Sequence, residues 1–453
     1  MRCAPLSRYP NLRGSSVTDV FGSPWLAYAL LVIVTAGARL RCGSWFAPAA
    51  FVGLIWSFFA GISLLVVDYP VPARGEWMLV LLVVAIQLGA LAAHEIQPES
   101  KPVDASDIPA SLDSLIAPCR RYGVFCAAIA FVGCIYFLFT SLREFDLPFN
   151  WLGVLEVGAR WTLLRYDDAL EPWSVRLLVM WLHPAGLLGG ILFACAHARR
   201  DRIIGVATLL PSIGYAVLTG TRAAILSGFT CWIGGFVATS CLRNRRMVWF
   251  SMKRLPLWLL AGASAVGMFG AIDAVRDTRW NTVVFALQEQ KLVNYMFGSP
   301  VAFADWYAHA DLTEAQWGAR TFAGEFDLLH LKTRILGTYS EKSNVVGTES
   351  TNVYTLFRGL IEDFTPVGAL LVGACVGGFA GWSYRMRLRR IYRGLFWLSM
   401  FYSYFLFSPL VSFFTFNGAL LAWVVAWFII RNPQPRKLML RAPAFHGGEA
   451  PAL

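Results

Sequence analysis

The sequence predicts an all-α, polytopic integral membrane protein with about eleven transmembrane helices, within a range of ten to twelve, and one large external loop. The composition is 57% hydrophobic and only 15% charged, and the mean hydropathy is +0.54. Soluble chains are about 45–50% apolar and roughly 25% charged. The apolar residues are grouped into long runs, and the basic residues are grouped between them. We therefore expect a membrane-embedded chain rather than several soluble domains.

Each apolar run is close to the roughly 20 residues that a helix needs to cross the hydrocarbon layer. Lipid offers the backbone no hydrogen-bond partner, so each run is expected to be helical. The runs cover residues 24–40, 46–67, 77–94, 121–141, 175–197, 203–220, 223–240, 256–273, 365–384, 393–409 and 412–430. The polar start MRCAPLSRYPNLRGSS precedes a first run that is long enough to span, which predicts a retained signal anchor.

The net charge of +11 is explained by membrane topology. In a soluble protein it would suggest a nucleic-acid partner, which we do not expect here. Basic residues cluster at intervals of two helices, as the positive-inside rule requires. The clusters are HARRDR (197–202), CLRNRRMVWFSMKR (241–254), RMRLRR (385–390) and RNPQPRKLMLR (431–441). The loops 68–76, 142–174 and 220–222 and the large loop are then expected to face away from the cytoplasm.

The chain divides into membrane helices and one long external segment. Residues 1–273 contain the first eight helices and the external loop 142–174, and residues 274–363 form the large external loop. Residues 364–430 contain the last three helices, and residues 431–453 form a cytoplasmic tail. Within the first division, residues 96–114 are expected to form a flexible connector. The large loop has thirteen aromatic residues between Trp280 and Phe357 and no cysteine. Long loops are often functional, and we expect this one to form short helices lying on the bundle.

Neither a metal nor another cofactor is expected. Of the nine cysteines, all except Cys3 lie within the predicted helices or beside their cytoplasmic ends, so the large loop has no disulfide framework. His309 and His330 are isolated in that loop, and no cluster has the spacing of metal ligands. The many glycines within the apolar runs indicate helix packing rather than nucleotide binding.

Arg222 lies in LTGTRAAIL, in a turn between two predicted spans. An arginine in such a turn lies near the lipid headgroups or just inside the hydrocarbon, where its charge is costly unless it is paired. It could extend its charge to the interface, or it could clamp an anion together with the amino terminus of the following helix.

Arg160 and Arg165 lie five residues apart in GARWTLLRY, within the first external loop. They could form surface ion pairs with Asp167 or Asp168, or they could bind substrate.

The stretch TNVYTLFRGLIEDFTPVGALLVG crowds polar groups against the start of a membrane helix. Arg358 and Glu362 are four residues apart and are expected to pair on a helix that begins near Val353. Tyr354 is expected on the same face, and Asp363 is expected to cap a helix that starts at Thr365–Pro366.

Several external arginines at the depth of the membrane interface suit a lipid with a pyrophosphate head. Arginine binds phosphate oxygens bidentately and keeps its charge. A nearby carboxylate could act as general base toward a sugar hydroxyl. The candidates for that base are Asp363, Glu362, Glu349 and Glu325.

The segment SNVVGTESTNVYTLFRGLIEDFTPVGALL resembles the end of the large external loop in Wzy-type oligosaccharide repeat-unit polymerases, the O-antigen polymerase family. In that family an Asn-Val-Tyr-Thr stretch and an Asp-Phe-Gly-like element precede a membrane helix. This chain has Asp363-Phe364-Thr365 in place of Asp-Phe-Gly. LTGTRAAIL is similar to the family's Gly-x-Arg turn, and ARWTLLRY to its earlier arginine-bearing loop.

The resemblance implies a GT-C-like membrane glycosyltransferase of the bacterial inner membrane. Such an enzyme transfers a growing glycan from its undecaprenyl-pyrophosphate carrier to a new lipid-linked repeat unit at the periplasmic face, with a flippase and a chain-length regulator as possible partners. Arginines would stabilise the leaving pyrophosphate without a metal. By position, the resemblance matches Arg160 and Arg222 to the family's external arginines, and Arg358 and Asp363 to its motif before the membrane helix. Assigning the roles ourselves, we expect the catalytic residues to be Asp363, Glu349, Arg222 and Arg358, and the substrate-binding residues to be Arg160, Arg165, Asn352, Tyr354 and Glu362.

Three other functions are compatible with the sequence. An O-antigen ligase shares the fold and the donor but transfers to a lipid A-core acceptor. A flippase of lipid-linked oligosaccharides predicts inverted repeats and charges buried along many helices, whereas here the charges are concentrated in two external loops. A structural or assembly role predicts that Arg222 and Arg358 are dispensable.

Overall fold

Helices make up most of the chain in a computed structural model. The described residues are 22–67, 69–96, 107–166, 171–243, 297–312, 314–332, 339, 343–346, 349–387 and 390–431. The predicted span 256–273 and the tail 431–453, apart from Arg431 itself, lie outside them.

The helices of the first half are bounded as follows: α1 Pro24–Cys42, α2 Pro48–Val66, α3 Ala73–Ile96, α4 Asp107–Glu144, α5 Trp151–Tyr166, α6 Trp173–Val179, α7 Leu182–Cys195, α8 Arg199–Ala207, α9 Leu210–Thr219 and α10 Arg222–Arg243. The elements of the second half are helix α11 at 297–309, α12 Ala323–Leu328, strands β1 Ser343–Val346 and β2 Glu349–Thr351, α13 Leu356–Met386, α14 Ile391–Phe407, a 3-10 helix Phe413–Thr415 and α15 Asn417–Arg431. The two strands pair antiparallel.

Eight helical stretches of the described chain are long and apolar enough to cross a membrane. They coincide with eight of the eleven predicted runs, and α6–α7 and α8–α9 each count as one interrupted span. The predicted runs 393–409 and 412–430 correspond to α14 and α15, which have only 17 and 15 residues. The chain is thus a multi-pass helical membrane protein.

Helices α3 and α13 form the most extensive helix pair of the described part. Gly373, Gly377 and Gly381 lie one turn apart on α13. A Cβ on Gly377 would collide with the carbonyl of Ile86, and a Cβ on Gly381 with that of Ala90. Contact of this kind between small residues is the usual basis of close helix packing in lipid. The residue numbers of these contacts increase together along the two helices, so α3 and α13 run parallel. The expectation that glycines serve helix packing is confirmed.

Helices α7 and α10 also run parallel through small residues. A Cβ on Gly186 would approach the Gly228 carbonyl at 2.7 Å, and one on Gly190 would collide with Trp232 one turn later. These helices and α1–α3 and α13–α15 share one large apolar core. A second core joins the end of α4 to α5, α6 and α9.

This packing gathers the segments expected outside the membrane at one end of the bundle. Leu356 N–H donates to Ser408 O at 3.0 Å, and Ser412 Oγ donates to Thr321 O at 2.9 Å. The end of α2 joins them, because Ser63 Oγ donates to the carbonyl of residue 297 at 2.6 Å. We call this the loop end, and the opposite end is the basic end.

Two connecting segments are more helical than expected. Residues 107–114 of the predicted flexible connector begin α4, because Leu112 and the following Leu115 are buried in the bundle. The external loop 142–174 contains α5, whose Trp161 is buried against Phe137. In the large loop, α11 and α12 lie on the bundle as expected, whereas the β-hairpin was not expected.

Candidate functional site

Helix α13 is interrupted at Thr365. Its φ of 63° and ψ of 168° lie outside the helical region, in the part of backbone space with positive φ that β-branched residues rarely adopt. Pro366 follows and has no N–H to donate. The interruption separates a short arm, from Leu356 to Phe364, from the long membrane helix that ends at Met386.

A loop of the large external segment supplies the hydrogen bonds that the interruption removes. In a continuous helix the carbonyls of Glu362 and Asp363 would accept from N–H groups four residues later. Instead, Gln316 N–H donates to Glu362 O at 2.9 Å, and Trp317 N–H donates to Asp363 O at 3.1 Å. The broken helix therefore holds this loop in place through main-chain bonds.

The carboxylate of Asp363 extends the same attachment. Its Oδ1 accepts from Arg320 N–H at 3.0 Å, and its Oδ2 accepts from Thr321 N–H at 2.6 Å. The side chain is fully buried. The membrane part of α13 begins at Thr365–Pro366 as expected, but the prediction that Asp363 caps it is wrong, because both carboxylate oxygens accept from the N–H groups of the loop. Asp363 caps the loop instead, and this use of both oxygens favours a positioning role.

Arg358 and Glu362 form the pair that their spacing predicts. Arg358 Nε donates to Glu362 Oε1 at 2.8 Å, and the Arg358 side chain is only 4% exposed. Glu362 Oε2 also lies 3.2 Å from Nε of Arg320. Two guanidinium groups therefore share the carboxylate of Glu362, and the buried carboxylate of Asp363 acts on the same Tyr339 ring as these three charges.

Three aromatic rings surround the Arg358 guanidinium. Its central carbon lies 3.9 Å from the ring centroid of Tyr339, 4.2 Å from that of Tyr354 and 4.9 Å from that of Trp306. Aromatic faces at this distance attract a cation. Burial raises the pKa of Tyr339 well above its ordinary value, so the phenol stays neutral. Tyr354 precedes α13 rather than lying on it, but its ring contacts Arg358 as expected.

Asp305 connects the residues around Arg358 to the surrounding loops. Tyr69 Oη donates to Asp305 Oδ1 at 2.8 Å, and Ser343 Oγ donates to Asp305 Oδ2 at 3.1 Å. Asp305 precedes Trp306 on α11, so these bonds anchor the part of α11 that carries Trp306. The α2–α3 connection, α11 and β1 are thus joined at one carboxylate. We call Trp306, Arg320, Tyr339, Tyr354, Arg358 and Glu362 the arginine cage.

Arg222 lies in the predicted turn, at the first residue of α10. Helix α9 ends at Thr219, Gly220 has a φ of 61°, and α10 begins at Arg222. The hydroxyls of Thr219 and Thr221 are 2.7 Å apart across this turn. Arg222 is only 7% exposed, so it is buried against the surrounding helices.

Arg160 lies on α5 and is paired locally. Its Nε donates to Glu156 Oε1 at 3.1 Å, and its Nη1 donates to Phe145 O at 3.1 Å. Both members of the ion pair are 41% exposed. Arg160 therefore forms a surface ion pair, but with Glu156, which was not among the expected partners. The side chain of Arg165 lies outside the described side chains, as do Asp167 and Asp168.

The remaining predicted residues border the arginine cage or lie near it. Asn352 is half-buried in the link between β2 and α13, and the backbone of Glu349 begins β2. The structure describes the backbone of Glu349 but not its side chain. Glu325 is on α12, whose Gly324 packs against Asn417 at the start of α15.

Sequence reasoning did not identify Arg320, Trp306 or Tyr339 as site residues. No helical or strand spacing connects them to Arg358, because they come from separate segments of the large loop. The available signal was compositional and covered only Trp306 and Tyr339, which contribute to the excess of aromatic side chains in that loop.

The described residues contain no group of three or more histidine, cysteine, aspartate or glutamate side chains suited to a metal ion. No protein-family model, no curated protein and no solved structure matches the chain. The class established is therefore a multi-pass helical membrane protein with a buried arginine cage at one end.

Proposed function

We propose that the protein is a membrane glycosyltransferase that polymerises oligosaccharide repeat units linked to undecaprenyl pyrophosphate. In this proposal the growing glycan moves from its carrier to a new lipid-linked unit at the periplasmic face of the bacterial inner membrane, in a GT-C-like fold. The bond between the sugar and its pyrophosphate breaks, a hydroxyl of the acceptor sugar forms the new glycosidic bond, and that hydroxyl gives up its proton to a base.

The observation that carries the proposal is the shared carboxylate of Glu362. Arg358 at 2.8 Å and Arg320 at 3.2 Å face the same carboxylate beside a membrane helix. These guanidinium groups lie at the loop end, beside the start of the membrane helix, where the anionic head of a membrane lipid could contact the more accessible one. Arg320 is the more accessible of the two, with 24% of its side chain exposed.

In the proposed roles, Arg320 contacts the pyrophosphate directly. Arg358, which is more deeply buried, stabilises the same pyrophosphate through its charge. Arg160, Arg165 and Arg222 remain candidates for the second phosphate or for the acceptor's carrier. Asp363 and Glu362 position the arginines and the loop. Glu349 and Glu325 are then the candidates for the general base, and Asn352 and Tyr354 for sugar contacts.

Deleting the gene and analysing the glycans tests the function itself. We expect single repeat units on the final acceptor and the loss of the long ladder on a gel. Long chains that remain on the carrier would instead indicate a ligase. Repeat units trapped on the cytoplasmic leaflet would indicate a flippase, and an unchanged profile would contradict any role in glycan assembly.

Complementation of the deletion tests the site. Arg320→Ala is expected to shorten or abolish the ladder at normal expression of the protein, because removing a donor to a developing anion typically costs about 100-fold or more in rate. Arg143→Ala is the matched control, since Arg143 is exposed at the loop end of α4 outside the arginine cage. A full-length ladder with Arg320→Ala would contradict the proposed site.

A further inference from the structure

An apolar groove lies on the part of the bundle nearest the basic end. Its volume is about 480 Å³, within the range typical of ligand pockets. It lies beside the break between α8 and α9, where residues 208 and 209 form a turn. Its apolar wall includes Phe193, Ile203, Val206, Leu210 and Phe229.

The groove is open on its outer side. Ile203 is 58% exposed, Val206 is 48% exposed and Leu210 is 59% exposed. In a membrane-spanning stretch such side chains face hydrocarbon, because no water is present to penalise them. An open groove of this composition accommodates an acyl chain.

Two arginines line the same groove. Arg199 and Arg202 lie in the first turn of α8 and are exposed. Arg202 Nε donates to Ala196 O at 3.1 Å, which fixes the side chain while its terminal amino groups remain as further donors. A phosphate accepts hydrogen bonds from such a guanidinium group in bidentate geometry.

The carboxylate nearest in sequence does not neutralise these arginines. Asp201 is buried, and its Oδ1 accepts from Arg120 of α4 at 3.0 Å. Asp201 is therefore engaged by Arg120, and Arg199 and Arg202 border a groove whose exposed lining is apolar. Apolar walls below two cations are complementary to a lipid with an anionic head.

We infer that this groove binds one phospholipid with an anionic headgroup. Its acyl chain lies between α8–α9 and α10, and its phosphate contacts Arg199 and Arg202. The basic end also carries Arg243 and Arg385, and the positive-inside rule assigns such an end to the cytoplasmic leaflet. The inference does not depend on the proposed glycosyl transfer.

Native mass spectrometry of the purified full-length protein tests the inference. The protein is titrated in detergent with phosphatidylglycerol or with phosphatidylcholine of the same acyl chains. We expect one tightly bound phosphatidylglycerol and weaker binding of phosphatidylcholine. The double variant R199A/R202A should lower the affinity for phosphatidylglycerol about 25-fold, since a basic residue near an anionic lipid contributes roughly a factor of five.

Two further variants separate a groove from a charged surface. Arg200→Ala removes an exposed arginine of the same turn that does not line the groove, and it should leave the affinity unchanged. Val206→Trp should fill the groove and weaken the binding of both lipids. The inference is overturned by equal binding of the two lipids, by an equal effect of Arg200→Ala, or by retention of the lipid in Val206→Trp.

Discussion

Glu362 accepts a hydrogen bond of 2.8 Å from Arg358, one helical turn earlier on α13, and the two side chains are 12% and 4% exposed. Both charges are thus largely removed from water, and a third charge, on Arg320, contacts the same carboxylate. Buried ion pairs are costly to break because the remaining partner keeps an uncompensated charge. The stability of the loop end should therefore depend on Glu362.

Replacing Glu362 by Gln is expected to destabilise the protein strongly. Two arginines would face each other without a carboxylate, and removing one partner of a buried pair costs about 3–5 kcal/mol. The melting temperature of the purified protein in detergent measures the effect. Glu156→Gln is the matched control, because its pair with Arg160 has the same four-residue spacing but is 41% exposed on both sides. It should cost about 1 kcal/mol or less, and an equal shift for the two variants would contradict the buried ion cluster.

Replacing Asp363 by Asn should loosen the loop that carries Arg320. An amide has one accepting oxygen, so one of the two main-chain N–H groups that the carboxylate now satisfies loses its acceptor. Leaving such a group unsatisfied costs about 1–3 kcal/mol. Hydrogen exchange at the amides of Arg320 and Thr321 should accelerate by roughly 5- to 150-fold. Unchanged exchange at these amides would show that Asp363 does not hold the loop.

Substituting a single glycine of α13 should weaken its packing on α3. Gly377→Ala forces the helices apart, because the added Cβ meets the Ile86 backbone rather than a movable side chain. Overpacking of this kind costs about 1–3 kcal/mol. Gly378→Ala is the control, since the same Cβ would lie 3.6 Å from the Gly89 carbonyl, an ordinary contact. A lower melting temperature only for Gly377→Ala is the expected result, and equal values would contradict the backbone contact.

The hydrogen bond between Trp56 and Ser408 should be measurable by a double-mutant cycle. Trp56 Nε1 donates to Ser408 Oγ at 3.0 Å, and both residues are buried. Ser408→Ala leaves the indole N–H without this acceptor, at a cost of about 1–3 kcal/mol. Trp56→Phe removes the donor, so the double variant should lose less than the sum of the single losses. Strict additivity of the two melting shifts would exclude a direct bond.

The membrane helices were predictable from the sequence because each one depends on local composition alone. The pairing of Arg358 with Glu362 was also predictable, since helical spacing brings residues four apart together. The connector at 107–114 was assigned wrongly because its serines and aspartates suggest a loop. Burial of Leu112 and Leu115 against the bundle outweighs those local preferences.

The arginine cage could be predicted only in part. Arg358, Glu362 and Tyr354 come from one stretch, whereas Arg320 and Tyr339 reach them through the folding of the large loop. The role of Asp363 was hidden for a related reason. Its carboxylate oxygens accept from backbone N–H groups. Because nearly every residue has such a group, the sequence does not show which ones will donate.

The attachment of the loop to the broken helix has a consequence for how this protein can diverge. Gln316, Trp317, Arg320 and Thr321 all make the attachment with main-chain N–H groups. Every amino acid except proline offers that donor. The loop can therefore exchange its side chains, and so the molecules that it recognises, while its position on α13 stays the same.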